Sequence, residues 1–187
     1  MKWNKLDKFI ANLRYRKIDC FMPEGGIVCD IGCGQEAEFL KRHSHRIKKG
    51  YGFDFLIDDM KINNIEIYNN KGMEHFPITD GSCQAVFMLA LFEHLDDPLA
   101  MLEETQRILN DGGSLILTTP TRLAKPILEF MAYKLHIIDE EGIREHKHYY
   151  SKNELFDLFN KTGFINYEYK KFCFGMNSFA LAKKAKN

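Results

Sequence analysis

Short apolar runs alternate with amphipathic segments along most of the chain, and that alternation points to the fold. Ile27-Val28-Cys29-Asp30-Ile31 follows Pro23-Glu24-Gly25-Gly26 and runs into Gly32, the pattern of a short buried parallel strand. Residues 35–46 are predicted helical, Tyr51-Gly52-Phe53 closes a second strand ending at Asp54, and residues 65–68 form a third. A fourth strand spans 85–89. Residues 98–109 set Leu99, Leu102, Ile108 and Leu109 against Glu103, Glu104 and Arg107, an amphipathic helix. Asp111-Gly112-Gly113 then opens a fifth strand over 114–118. Strands alternating with helices predict an α/β fold: a doubly wound, mostly parallel sheet with helices on both faces.

The two ends break this rhythm. In the first 22 residues Trp3, Leu6, Phe9, Ile10 and Leu13 recur at helical spacing between lysines, which predicts an amphipathic helix lying on the domain or covering a substrate. Near the other end, 152–162 is predicted helical, with Ser151 and Glu154 as a capping box and Gly163 as the stop. Two β-rich runs follow, 164–174 and 176–182, turning near Gly175 with no helix between them. They predict a C-terminal antiparallel hairpin.

Composition narrows the class. A chain of 187 residues, 45% hydrophobic and 28% charged, fits one globular domain over 1–187. Lys+Arg 26 against Asp+Glu 26 gives a formal net charge of zero, which argues against a protein built mainly to coat nucleic acid, though not against a local basic patch; no nucleic acid is expected as a partner. Lysine-rich ends leave a weak hint of anionic partners or peripheral membrane contact, and the chain is expected to be a monomer or dimer. The five cysteines form no CxxC pair, so neither a zinc knuckle nor a redox motif is indicated and a reducing cytoplasm fits. No run reaches the ~18–20 apolar residues of a membrane span, and the charged N-terminus lacks the apolar core of a secretion signal.

The chemistry concentrates at Asp30-Ile31-Gly32-Cys33-Gly34-Gln35-Glu36-Ala37, where a strand ends at an acid and a glycine-rich turn leads into a helix. Glycines there permit positive φ and close approach of a ligand, and ligands of open α/β sheets sit outside the carboxyl ends of the strands. Asp54, about twenty residues on, is placed to accept ribose hydroxyls. The glycine spacing alone also satisfies a dinucleotide fingerprint, so an NAD(P)-binding oxidoreductase stays open as an alternative. Asp30 weighs against it. A carboxylate facing a pyrophosphate at roughly 4 Å, with an effective dielectric near 20, costs on the order of 4 kcal/mol. The same carboxylate attracts the ammonium and sulfonium of S-adenosylmethionine.

Val28-Cys29-Asp30-Ile31-Gly32-Cys33-Gly34 resembles the first motif of class I S-adenosylmethionine-dependent methyltransferases. The likeness continues through Gly72-Met73-Glu74-His75-Phe76-Pro77, Asp80-Gly81-Ser82, Leu91-Phe92-Glu93-His94-Leu95 and Leu109–Gly113. It is strongest to the small type 11-like subgroup that includes quinone-biosynthesis and cell-envelope glycan methyltransferases. The resemblance implies a seven-stranded sheet, with Asp30, Gly32 and Gly34 along the methionine part of the donor and Asp54 on the ribose. It sets Phe55 and Leu56 around adenine, Met73 and Glu74 on the adenine edge, and Leu89, Ala90 and Leu91 beside the methyl group. Gly72 stands where the family has an acid reading adenine, and Gln84 where it has an aspartate, the latter a structural difference.

Methyl transfer from a sulfonium is an in-line displacement that positioning alone can accelerate. A base is needed only where the acceptor must lose a proton. The candidates are His94 after the fourth strand, and His146 and His148 in the substrate-covering segment 120–150. His43 and His45, among Lys41, Arg42 and Arg46, are expected on the solvated surface. No metal is expected, since His136, His146 and His148 lack the spacing of ligands one helical turn apart. Arg14-Tyr15-Arg16 could fold over the donor carboxylate. Leu123, Ile127, Leu128, Phe130, Met131, Tyr133 and Leu135 make residues 120–150 apolar, which favours a small-molecule, glycan or lipid-linked acceptor. The Asn-Pro-Pro-aromatic signature of amino-methylating relatives is missing after the fourth strand, so an oxygen or carbon acceptor of small or medium size is favoured. A cofactor-binding module without catalysis is the remaining alternative.

Overall fold

The computed structural model describes residues 5–71 and 75–186. Eight strands form one sheet: β1 (Ile27–Ile31), β2 (Lys49–Asp54), β3 (Met60–Ile62), β4 (Ile65–Asn69), β5 (Cys83–Leu89), β6 (Leu109–Pro120), β7 (Phe164–Phe172) and β8 (Asn177–Lys184). Their order is β3-β4-β2-β1-β5-β6-β8-β7. The pairs β4–β2, β2–β1, β1–β5 and β5–β6 are parallel, whereas β3–β4, β6–β8 and β8–β7 are antiparallel. The doubly wound sheet with its C-terminal hairpin is borne out. The eighth strand is the three-residue β3, an edge ribbon beside β4 whose pairing residues, Met60-Lys61-Ile62, alternate over too short a run to announce it.

Side chains alternate across the strands and so feed two cores. Val28, Phe87, Ile116 and Phe179 point to one face, with Phe39 and Leu40 of α2 (Glu38–His43) and Ala11, Tyr15 and Ile18 of α1 (Lys5–Ile18). Cys29, Val86, Leu115 and Ala180 point to the other, with Leu102 of α3 (Pro98–Ile108) and Leu155 and Phe159 of α6 (Lys152–Lys161). The Ser151–Glu154 capping box forms as expected. Segment 120–150 supplies α4 (Ala124–Tyr133) and α5 (Glu140–Arg144).

Three local differences from the sequence reading have physical causes. Helix α2 starts at Glu38 because Gly34 (φ 72°) and Ala37 (φ 45°) hold the preceding turn in the left-handed region. Strand β6 begins directly after α3, because the Asp111-Gly112-Gly113 stretch is absorbed as an irregularity in its register with β5 instead of ending it. His43 is buried, not solvated: one turn after Phe39, it bonds the Phe39 carbonyl through Nδ1 (2.9 Å) and meets Asp19 through Nε2 (3.1 Å).

Candidate functional site

Strand order reverses at β1, which has β2 on one side and β5 on the other, so the crevice opens beyond the ends of β1 and β5. A cavity of about 700 Å³ lies there, walled by Asp30, Gly32, Gly34, Asp54, Leu56, Leu89 and Ala90, with Arg14 and Tyr15 of α1 across from them. Of the expected donor residues, Asp30, Gly32, Gly34, Asp54, Leu89 and Ala90 therefore share one wall. Phe55 does not line it; it is 54% exposed, and Leu56 takes the wall position. Met73 and Glu74, like Gly72, lie outside the described residues.

The turn is held by its own backbone. Gly32 (φ 76°) and Cys33 both donate to the Phe53 carbonyl, at 2.8 and 3.1 Å. The Asp54 carboxylate accepts from the Gly34 and Leu56 amides at 2.9 Å each, which fixes its direction and leaves lone pairs facing the cavity. A side chain at Gly32 would press on Leu91, with a Cβ 3.0 Å from Cδ1. Gln84 is structural: its side-chain oxygen accepts from the Ile27 amide.

Asp30 is the unusual group. It is 1% exposed, and its Oδ1 has no hydrogen-bond partner. Burial first, and the Asp54 charge second, push its carboxyl well above the ordinary carboxylate range. A buried acid without a partner, in the floor of a ligand-sized cavity, fits a cationic ligand group and opposes a phosphate. Arg14 is also buried at its Nε without a partner, and burial lowers its pKa.

A second cavity of about 850 Å³ meets the first at Arg14 and Ala90, which line both. Ala90, with φ 56°, ends the strand path at this junction. Apolar side chains dominate the second cavity: Leu6, Phe9, Ile10 and Leu13 of α1, and Ile127, Leu128 and Met131 of α4. Helix α1 thus has two apolar stripes. Ala11, Tyr15 and Ile18 pack on the sheet, while the stripe visible in the sequence covers the cavity. Trp3 lies outside the described residues.

In the wall of the second cavity, Glu93, His94 and His146 converge, with one ligand atom from each within 4.8 Å of the others. The two imidazoles pack edge to face at 4.8 Å, and Tyr149 Oη lies 2.9 Å from His146 Nδ1. Burial, then the neighbouring His94 and Arg14, lowers the His146 pKa to about 4, so that imidazole is neutral at pH 7. Glu93 is 1% exposed, burial raises its pKa, and its Oε2 has no partner. Glu93 sits in the short helical turn Phe92–His94 after β5, and nothing in its spacing marks it for this group. His148 does not join the group: it meets Glu154 at 3.2 Å and packs on Tyr150. His136 pairs with Glu140 at 3.6 Å.

Fold and site together define a doubly wound α/β domain with a ligand-sized cavity at its switch point. The chain belongs to the family described as methyltransferase domain, whose pattern matches residues 5–169. The expected class I methyltransferase assignment is borne out. Among curated relatives, a "tRNA U34 carboxymethyltransferase" of Desulfotalea psychrophila is 28% identical over 128 residues, covering 63% of this chain and 37% of that protein. One of the same name from Nautilia profundicola is 35% identical over 101 residues, covering 49% and 33%. The chain thus spans well under half the length of these relatives. Among solved structures, a SAM-dependent methyltransferase from Thermotoga maritima superposes with a TM-score of 0.67 at 21% identity, covering 95% of this chain and 90% of that one. Phosphoethanolamine N-methyltransferase 2 of Haemonchus contortus, bound to S-adenosyl-L-methionine, gives 0.66 at 14%, covering 94% and 52%. These two likenesses show the fold.

One expectation is corrected. No nucleic acid is expected as a partner from the sequence, yet the curated relatives are named for a tRNA nucleoside. Net charge sums the whole chain and says nothing of one face, so a balanced total leaves room for a local basic patch. Among the described residues no helix is long and apolar enough to cross a membrane.

Proposed function

We propose that the protein is a transferase that takes a methyl or methyl-derived group from S-adenosylmethionine. The observation that carries this is the unpartnered Asp30 carboxyl in the floor of the first cavity. Asp30 meets the cationic head of the donor, Gly32 and Gly34 let the backbone approach it, and Asp54 accepts from its ribose. Leu56 packs on the adenine side; Phe55, Met73 and Glu74 are further candidates there. The donor, once bound, supplies an activated carbon attached to positive sulfur. The protein's part is to hold the acceptor at the junction near Ala90, to exclude water with the apolar walls, and to take up a proton at His94 or His146 when the acceptor is a hydroxyl.

Three observations bear on the acceptor. The relatives' names favour a nucleoside of tRNA, with one base entering the second cavity. The apolar walls between α1 and α4 favour a compact, ring-bearing acceptor, and the missing Asn-Pro-Pro-aromatic signature favours modification at its oxygen or carbon. The experiment is titration calorimetry with S-adenosylmethionine and S-adenosylhomocysteine. Transfer of label from methyl-labelled donor into total tRNA and into a small-molecule extract follows. Heat with neither donor form, together with enhanced NADH fluorescence, overturns the reading in favour of an oxidoreductase. Label in tRNA and label in the extract decide between the acceptors.

A further inference from the structure

We propose that Glu93, His94 and His146 form a binding site for one divalent transition-metal ion, zinc by the chemistry of its donors, in the wall of the second cavity. Two imidazoles and one carboxylate are a donor set that holds catalytic zinc while leaving a coordination position open. One ligand atom from each residue already lies within 4.8 Å of the others. Tetrahedral zinc with ~2.0–2.1 Å bonds needs donor separations of roughly 3.3 Å, so side-chain rotation closes the gap.

The second observation is that the cluster is unsatisfied. Glu93 Oε2 and His94 Nδ1 are buried atoms with no hydrogen-bond partner, and buried polar groups seldom stay that way without a ligand. The backbone also prepares the site. The Lys147 and His148 amides donate to the Glu93 carbonyl, at 2.9 and 3.3 Å, tying the segment that carries His146 to the turn that carries the other two residues. Tyr149 Oη, 2.9 Å from His146 Nδ1, steadies the imidazole and leaves Nε2 as the ligand atom. Arg14 shares the junction and is attracted to Glu93, so the ion competes with a guanidinium. A micromolar rather than nanomolar affinity follows.

This inference rests on the proposed transferase reading for its purpose: with the ion bound, His94 and His146 would give lone pairs to it in place of the proton-accepting role, and an acceptor oxygen in the open position would release its proton to water more readily. The binding claim stands without it. The test uses the full chain stripped with chelator, titrated with Zn²⁺ by calorimetry and with Co²⁺ by visible absorbance. S-adenosylhomocysteine binding is measured on every sample as a check of fold and donor cavity. One equivalent of ion at micromolar Kd, with cobalt bands of a four- or five-coordinate site, is expected. Glu93→Gln and His146→Ala should each weaken the ion at least tenfold while S-adenosylhomocysteine still binds, and H148A should leave the ion's affinity unchanged. No stoichiometric ion in protein that binds S-adenosylhomocysteine overturns the site, as does equal affinity in wild type, E93Q and H146A. Should S-adenosylhomocysteine fail to bind while the ion binds, the donor reading falls and the metal site stands.

Discussion

Replacing Asp30 by asparagine separates what this group does for the fold from what it does for the ligand. The amide keeps the shape of the side chain and removes its charge. In the free protein the buried carboxyl holds its proton to higher pH than in the unfolded chain, where its pKa is near the ordinary aspartate value of 3.8. The folded state therefore binds more protons than the unfolded state above that pH, and stability falls as pH rises through the interval. D30N removes this slope, so its urea midpoint at pH 8 should equal or exceed that of wild type. Ligand binding should move the other way. A cation at roughly 4 Å from the carboxylate, with an effective dielectric near 20, gains about 4 kcal/mol before desolvation is subtracted. A charge-assisted hydrogen bond retains about 1.5–3 kcal/mol net, so D30N should bind S-adenosylmethionine roughly ten- to a hundredfold more weakly. Titration calorimetry beside urea melts at pH 5 and pH 8 reads both effects. A folded D30N that binds the donor as tightly as wild type refutes the role given to Asp30, and with it the main support for a sulfonium donor.

Two further outcomes follow from the scaffold. Glu104 accepts from the Phe76 amide at 2.7 Å and bonds Arg107 and His75; burial raises its pKa, but these partners outweigh it and hold the carboxyl at about 2. Its contribution is fully present above the unfolded carboxylate range near 4.5 and disappears as pH falls through about 2. E104Q should thus lose about 2–3 kcal/mol in urea melts at pH 7 and progressively less by pH 3. Ser151→Ala removes the cap of α6 and should cost about 1 kcal/mol by thermal melting, with donor affinity unchanged.

Much of the sheet was legible because buried parallel strands leave short apolar runs, and the turn signals around Gly25–Gly26, Asp54 and Gly163 fall where elements change. What the pattern concealed depended on contacts between distant segments. Nothing local says that His43 faces inward, or that Asp111–Gly113 is carried within β6 by pairing with β5. The lining of the first cavity was legible because its residues cluster at strand ends in a fixed order. The second cavity was not, since it exists only where the outer stripe of α1 meets α4. Glu93 and His148 make the same point. The acid is drawn into the second cavity's wall by the turn after β5, while the histidine is diverted by Glu154, and neither outcome has a signature in residue spacing.

Helix α1 carries two functions on adjoining stripes. Ala11, Tyr15 and Ile18 belong to the hydrophobic core and tolerate little change, whereas Leu6, Phe9, Ile10 and Leu13 line the second cavity. Such a division lets one face of the helix vary with the shape of that cavity while the core packing stays fixed. Libraries that vary those four positions are accordingly the natural route to new selectivity on this scaffold.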